Sequence, residues 1–435
     1  MSLLYKLLIA AFLLGILGGE LKSQSEMGSF FLEGTWAARE LNVTDSLVHK
    51  IEIYLPGIFF ESHHNNRISF ADIIRKSGDR TILNLAQVIN QLEDNNSFEN
   101  NFKVNTIGVG IKLSSFDIDF RHNSRFNSVI EYPKELAKLI FEGNSQYIGE
   151  TVSFGPSLNY YKYHEYSIGV SKTFGDLALG GRIKYLSGIG FVQTQQNTAS
   201  LFTEEDIYQL SINTDYAFTS SGLVDIDGVT DITVDTGLRK QFFSKNNGVA
   251  FDFGAAYQVS DALKISASIL DLGSIKWKEK TNKYVSNGDY TYAGFEIDEF
   301  LLNDSVEFEI KLDTLEEIFA FKKSPSEFKT SLSAQLYLAG QYQFNDKLRL
   351  GAILYISDIE VSDLFYGINA QYSFSKSFLL GINYGFKRDS FSNLGLQFTT
   401  LLGPVVIFGN TDNIISVFSN ERYNLNGRIG LGLSF

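Results

Sequence analysis

The 435-residue chain has no cysteine, and that one gap excludes a disulfide framework, thiolate metal sites and a lipidated amino terminus together. Proline is scarce, with 5 residues against 37 glycines, which suits strands that must curve while keeping their ladder donors. Positive charge is in deficit. A formal net charge of −13 offers no basic face to nucleic acid phosphates. Beyond Leu7 to Leu17, no apolar run approaches the roughly 20 residues that a spanning helix requires. There is also no Ser, His and Asp spacing of a hydrolase, and no Gly-rich phosphate cradle leading from a strand into a helix. No enzymatic activity and no cofactor are expected.

What is abundant is aromatic: 37 Phe and 22 Tyr, with a mean hydropathy close to zero. Two opposed faces on one strand would give both. The carboxyl terminus shows them most clearly. Leu425, Gly427, Ile429, Leu431, Leu433 and Phe435 alternate with Asn424, Asn426, Arg428, Gly430, Gly432 and Ser434, the period-two signature of a strand wetted on one side. A closing strand that ends on an aromatic residue points to an all-β fold, a transmembrane antiparallel β-barrel, with Phe435 important for membrane assembly. At the other end, Lys6, the apolar stretch Leu7 to Leu17 and the mainly small or polar residues Gly18 to Ser23 read as a signal peptide, residues 1–23, cleaved before Gln24. Residues 24–48 then form an N-terminal plug or periplasmic segment, and residues 49–435 the barrel.

Apolar alternation punctuated by turn residues predicts strands at 50–60, 103–113, 115–122, 158–174, 177–191, 248–259, 262–272, 328–344, 347–357, 363–374, 377–388, 391–401, 403–412 and 424–435. Six tight turns fall at Ser114–Ser115, Gly175–Asp176, Ser260–Asp261, Asn345–Asp346, Ser375–Lys376 and Gly403–Pro404. Each follows an even-numbered strand, so all six belong on the periplasmic side and the long insertions on the outer side. Those insertions are Glu61 to Phe102, Asn123 to Pro156, Val192 to Gly248 and Gly273 to Glu327, with helical patterns at Ile82 to Leu92 and Pro133 to Phe141. A soluble β-sandwich would alternate too, but strands near ten residues with Tyr and Phe at their ends favour the bilayer.

The lipid face is assigned Leu177, Leu179, Ile183 and Tyr185; Val249, Phe251, Phe253 and Tyr257; Leu348, Leu350, Leu354 and Ile356; and Phe378, Leu380, Ile382, Tyr384 and Phe386. The lumen face carries Glu165, Arg182, Lys184, Asp252, Lys264, Arg349 and Arg428, with Asn369, Gln371, Asn383 and Lys387. Such charges either bind or conduct a solute, or neutralise one another inside a wet barrel, which is the default of this architecture. Leu186, Leu270, Tyr355 and Phe365 also point inward, either to hold an acyl chain or, in preference, to pack against a plug. The many glycines are assigned to relieving crowding as the sheet curves. Asp225, Asp227, Gly228 and Asp231 are spaced partly like a calcium loop, without its terminal Glu, and an ordinary acidic loop is the better reading. His63 and His64 with His49 could bind zinc, but adjacent side chains in extended backbone diverge, so a solvated pair is expected and no metal is assigned.

Two stretches, Tyr163 to Thr194 (YHEYSIGVSKTFGDLALGGRIKYLSGIGFVQT) and Asn247 to Trp277 (NGVAFDFGAAYQVSDALKISASILDLGSIKW), resemble the central hairpins of a large group of uncharacterised Bacteroidetes outer-membrane barrels. Leu55 to Ile74 is similar to the region near that family's start. The chain departs from it at Leu41, Asn42, Val43 and Thr44, where relatives commonly have an Asn-Pro-Ala turn. The resemblance implies a fourteen-stranded barrel similar to long-chain fatty-acid transporters and to the type IX secretion shuttle barrel, in the outer membrane of a Gram-negative bacterium. It carries no settled activity. Transport of a hydrophobic or amphipathic solute is the leading expectation, and a secretion-system component or surface scaffold the alternative. Expected partners are outer-membrane lipid, the barrel assembly machinery, and either a hydrophobic small molecule or a secretion-system protein.

Overall fold

Residues that alternate in polarity can bury their backbone in lipid only by pairing, and the chain does so in one continuous antiparallel sheet. The computed structural model describes residues 26–65, 74–77, 80–83, 85–206, 208–222, 224–226, 232–234, 242–292, 321–357, 365–387, 390–415 and 424–435. The expected signal peptide lies outside them. Fourteen strands form the wall: β1 (Ile51–His64), β2 (Asn95–Lys112), β3 (Asp117–Pro133), β4 (Ser157–Phe174), β5 (Leu177–Thr203), β6 (Asn247–Gln258) and β7 (Leu263–Trp277), followed by β8 (Gln335–Gln343), β9 (Leu348–Ser357), β10 (Phe365–Ser375), β11 (Phe378–Lys387), β12 (Ser390–Leu402), β13 (Val405–Thr411) and β14 (Asn424–Ser434). Each pairs with the next. β14 then returns to β1, with Glu52 opposite Ser434. Reciprocal bonds finish the seam, Phe435 N–H to Ile51 O at 2.9 Å and Ile51 N–H to Phe435 O at 3.1 Å. No edge is left in the ring.

The two faces are inverted relative to a water-soluble protein. Phe253 is 53% exposed and Ile382 51%, whereas their neighbours Asp252 and Asn383 are 0% and 1% exposed. A soluble sandwich would bury the first pair and wet the second, so the outer face is the lipid face. The residues assigned to it are exposed or half-buried on the outside. Among the described residues no helix is long and apolar enough to cross a membrane. All six tight turns lie at one end, where β1 starts and β14 finishes, and Gly175 and Gly403 adopt φ of +60° and +61° there.

At the opposite end the strands run further than expected. The third was predicted to stop at His122 and continues to Pro133, while β2 begins at Asn95 and β5 reaches Thr203. Above the bilayer neither face of a strand needs to be apolar, so Asn127 to Tyr132 shows no alternation to read. Much of the insertions is therefore sheet: β5 pairs with Leu210–Gly222, that strand with Asn282–Tyr292, and that one with Lys322–Pro325. The expected strand 328–344 is divided, because Phe328–Ser331 pairs separately with the outer end of β7. Loop helices include α3 (Leu85–Gln91) and α4 (Lys134–Glu142), the second with Pro133 as its N-cap. α3 starts later than the pattern at Ile82 implied, since Arg80–Leu83 is a strand. Val88, Ile89 and Leu92 pack on Tyr132 and Ala137, joining the two.

Leu380 is 37% exposed on the lipid face. Leu380→Arg is expected to cost about 2–4 kcal/mol near the bilayer midplane, read as a lowered urea midpoint in phospholipid vesicles; an unchanged midpoint would contradict the register. Deleting Phe435 removes the reciprocal bonds at the seam. Less folded, heat-modifiable barrel is expected in the membrane, and normal levels would contradict the role of that residue.

Candidate functional site in the barrel lumen

Residues 26–47 pack on lumen-facing residues of the wall. Two short helices, α1 (Met27–Phe30) and α2 (Trp36–Leu41), are separated by Gly34 at φ +73°, and Thr35 caps α2 by accepting from Ala38 N–H. Contacts reach around the ring. Gly28 N–H donates to Asp412 beyond β13 at 2.8 Å, Trp36 Nε1 to Leu431 O on β14 at 2.8 Å, and Gln371 Nε2 on β10 to Phe31 O. Arg182 of β5 donates to the Arg39 and Glu40 carbonyls, and Arg349 of β9 to the Glu33 carboxylate. Glycines in the wall give the segment room. A Cβ at Gly57 or Gly430 would lie 2.5 or 2.7 Å from the Trp36 ring, and one at Gly367 would lie 2.0 Å from Met27 Sδ. The expectation that strand glycines serve curvature is corrected at these positions, where they serve clearance.

Buried charge holds this arrangement. Arg39 pairs with Asp119 at 2.9 Å, and Asp119 with Arg121 at 2.8 Å. Asp252 bridges Arg182 at 3.1 Å and Lys184 at 2.8 Å. Lys184 reaches Asp271 at 2.6 Å, and Arg125 joins Asp271 at 3.3 Å to Glu165 at 2.9 Å. Glu40 then links Arg125, Lys103 and Arg428 at 3.8, 3.1 and 2.9 Å, and Glu26 accepts from Lys103 at 2.7 Å and from Arg428. Uncompensated charge in such a setting is costly, so the pairs stand or fall together.

Across the lumen lies an apolar cluster. Met27, Phe30, Phe31, Leu41 and Val43 of the segment pack on Leu270, Tyr337, Ala339, Ile353, Tyr355 and Phe365 of β7 to β10. Phe30 stacks on Tyr337 with centroids 5.6 Å apart. Leu186 belongs elsewhere, in a second cluster nearer the outer end with Tyr163, Phe191, Ile275 and Trp277.

Of the charged residues read from the sequence, Glu165, Arg182, Lys184, Asp252 and Arg428 enter the network, Arg349 meets Glu33, and Lys264 is half-buried at its margin, facing Asp45. Sequence reasoning missed Arg39, Glu40, Lys103, Asp119, Arg121, Arg125 and Asp271. The alternation Asp117, Asp119, Arg121, Asn123, Arg125 was available as a signal. Asp271 gave none, because a bulge opposite Asp252 and a φ of +62° turn it inward beside Leu270, against strict alternation. His63 and His64 are buried rather than solvated, at 7% and 0% exposure, with His64 against Phe98 and Tyr132. Phe98 and Tyr132 on the adjoining strands are what cover His64. The acidic stretch Asp227 to Asp231 and the side chain of Asp225 lie outside the described residues.

Residues 48–412 match a family of unknown function (DUF5723). No curated protein matches the chain. Similar solved structures include the toluene transporter TbuX of Ralstonia pickettii, 8% identical with a TM-score of 0.38 over 92% of this chain and 93% of that one. A FadL homologue of Pseudomonas aeruginosa is 10% identical, TM-score 0.39, over 93% and 94%. The Pseudomonas putida toluene transporter TodX is 9% identical, TM-score 0.34, over 96% and 95%.

Two buried carboxyls, Asp412 against α1 and Asp45 within the segment, hold their protons more tightly than usual. Burial pushes Asp412 up to about 7, although Gly28 N–H and Asn383 Nδ2 both donate to it. Burial and then the Glu33 charge push Asp45 up to about 7. A raised carboxyl favours the docked state at low pH, so their contribution is complete below about pH 4 and is lost as the pH rises through about 7. Trp36 emission in a Trp277→Phe background is expected to shift toward that of a wetter indole over this range. The added substitutions Asp45→Asn and Asp412→Asn should flatten the profile; an unchanged profile would contradict the assignment.

Proposed function

Because the chain belongs to that family of unknown function, membership brings no activity, and we propose from the lumen itself a gated outer-membrane barrel for an amphipathic solute. The N-terminal segment is the gate. The carrying observation is the pairing of Lys103 and Arg428: among the described residues their carboxylate partners are Glu26 and Glu40, both on the segment. Withdrawal of residues 26–47 would leave those two cations bare across the lumen from Leu270, Tyr337, Ile353, Tyr355 and Phe365. Bare cations facing an aromatic and aliphatic wall fit a molecule with an anionic head and a hydrocarbon body. The segment supplies the same two features, through Glu26 and Glu40 on one side and Met27, Phe30 and Phe31 on the other. Solute and segment then compete for one place, and the barrel need not stand open to water.

The tall sheet above the bilayer, built on β5 and Leu210–Gly222, supports a second reading as a surface scaffold or secretion-system component. Stoichiometric co-purification of a protein after mild detergent extraction would favour that reading.

The transport reading is tested in liposomes with a fluorescent long-chain carboxylate. Uptake should exceed that of empty vesicles and fall at least tenfold, roughly the effect of leaving a desolvated carboxylate unpaired, in Lys103→Gln, Arg428→Gln. Uptake equal to that of empty vesicles would overturn it.

A further inference from the structure

The outer rim of the lipid-facing surface is not uniform. Over β10 and β11 it is aromatic, with Tyr366 stacked on Phe386 at 5.1 Å. Over β6 to β8 it is basic, in a chain whose net charge is −13. Lys276 on β7 stands directly opposite Lys329 on the short strand Phe328–Ser331. Their neighbours Ile275, Trp277 and Thr330 face the lumen, where Trp277 Nε1 donates to Thr330 Oγ1 at 2.8 Å, so both lysines point outward. Lys278 and Lys245 complete the group. Asn246 Oδ1 accepts from the N–H groups of Lys278 and Glu279 at 2.7 Å, which holds the two segments side by side. All four lysines are exposed.

Their height is fixed by the ladder. Asn247 pairs with Lys276 and Val249 with Ser274, so Lys276 lies two residues, about 7 Å, beyond the last lipid-facing valine of β6. Phe242 and Phe243 lie at this rim on the outside of the wall, 42% and 55% exposed, stacked on His164 and Tyr166 respectively. Tyr166 shares a row with Tyr185 and Val249, so the Phe243 ring lies below the ammonium groups, which matches the boundary between acyl chains and headgroups. Two carboxylates stand in the same rim, Glu279, whose Oε2 accepts from Lys245 N–H, and Glu327. Lysines remain in excess. Like charges directly opposite on a ladder are destabilising unless an anion screens them.

We propose that Lys245, Lys276, Lys278 and Lys329 form a binding surface for a phosphate-bearing lipid of the outer leaflet, with Phe242 and Phe243 against its acyl chains. The surface depends on the membrane orientation of the barrel and not on transport, so the two can fail separately.

The test uses the full-length barrel, its fold checked by heat-modifiable gel mobility, in phosphatidylcholine vesicles doped with phosphatidic acid. After extraction, native mass spectrometry counts retained lipid. The wild type should retain phosphatidic acid over phosphatidylcholine. The fourfold Lys→Gln variant should lose that preference on the order of tenfold, and the fourfold Lys→Arg variant should keep it. Equal retention by the Lys→Gln variant would overturn the site. Dextran sulfate binding the lysines in preference to phosphatidic acid would overturn the lipid occupant and identify a soluble polyanion instead.

Discussion

Hydrocarbon offers no hydrogen-bond partner to a peptide group, and the rest of the molecule follows from that. Any strand left with a free edge would strand its N–H and C=O groups in lipid, so β14 must find β1. Once the sheet is closed, alternation has only two destinations. Hydrocarbon takes Phe253, Ile382 and Ile429, and the interior receives Asp252, Asn383 and Arg428 whether or not it can hydrate them. A charged interior then needs either water or partners.

Here it has partners. The N-terminal segment answers the wall on both of its terms: Glu26, Arg39 and Glu40 pair with charges on β2, β3 and β14, and Met27, Phe30 and Phe31 cover the apolar residues of β7 to β10. Replacing a buried ion pair by hydrophobic residues is often neutral or stabilising, so the network is a poor device for stability alone. It is a good device for specificity, because one segment in one pose satisfies the charges together. Under the proposed gating, a molecule that carries the same groups would displace the segment.

Strand positions, turn parity and the two faces were legible because hydrocarbon enforces them one residue at a time. Leu380, Phe253 and Phe435 could be placed by counting in twos. The signal ended where the bilayer ended: Asn127 to Tyr132 is as much a strand as Asp117 to Phe126, but beyond the hydrocarbon nothing selects alternate residues. Asp271 was hidden by a bulge, a backbone event that composition does not report. Partnership across the lumen was hidden too. Arg39 and Asp119 are 80 residues apart, and neither residue's own neighbourhood names the other. The wall glycines illustrate the same limit, since Gly57 and Gly430 read as ordinary sheet glycines until Trp36 is seen lying against them.

The occupied lumen is the claim on which gate, solute and pH response all depend, and the absence of native cysteine makes it simple to test. Ser29 Oγ donates to Asn410 Oδ1 of β13 at 2.9 Å, from the segment to the wall around it. With Ser29→Cys and Asn410→Cys in one chain, the account predicts a disulfide in the folded, membrane-inserted barrel, seen as protection of both thiols from a maleimide reagent until reductant is added. Free thiols that react fully in the folded barrel would show the segment lying elsewhere and would contradict it.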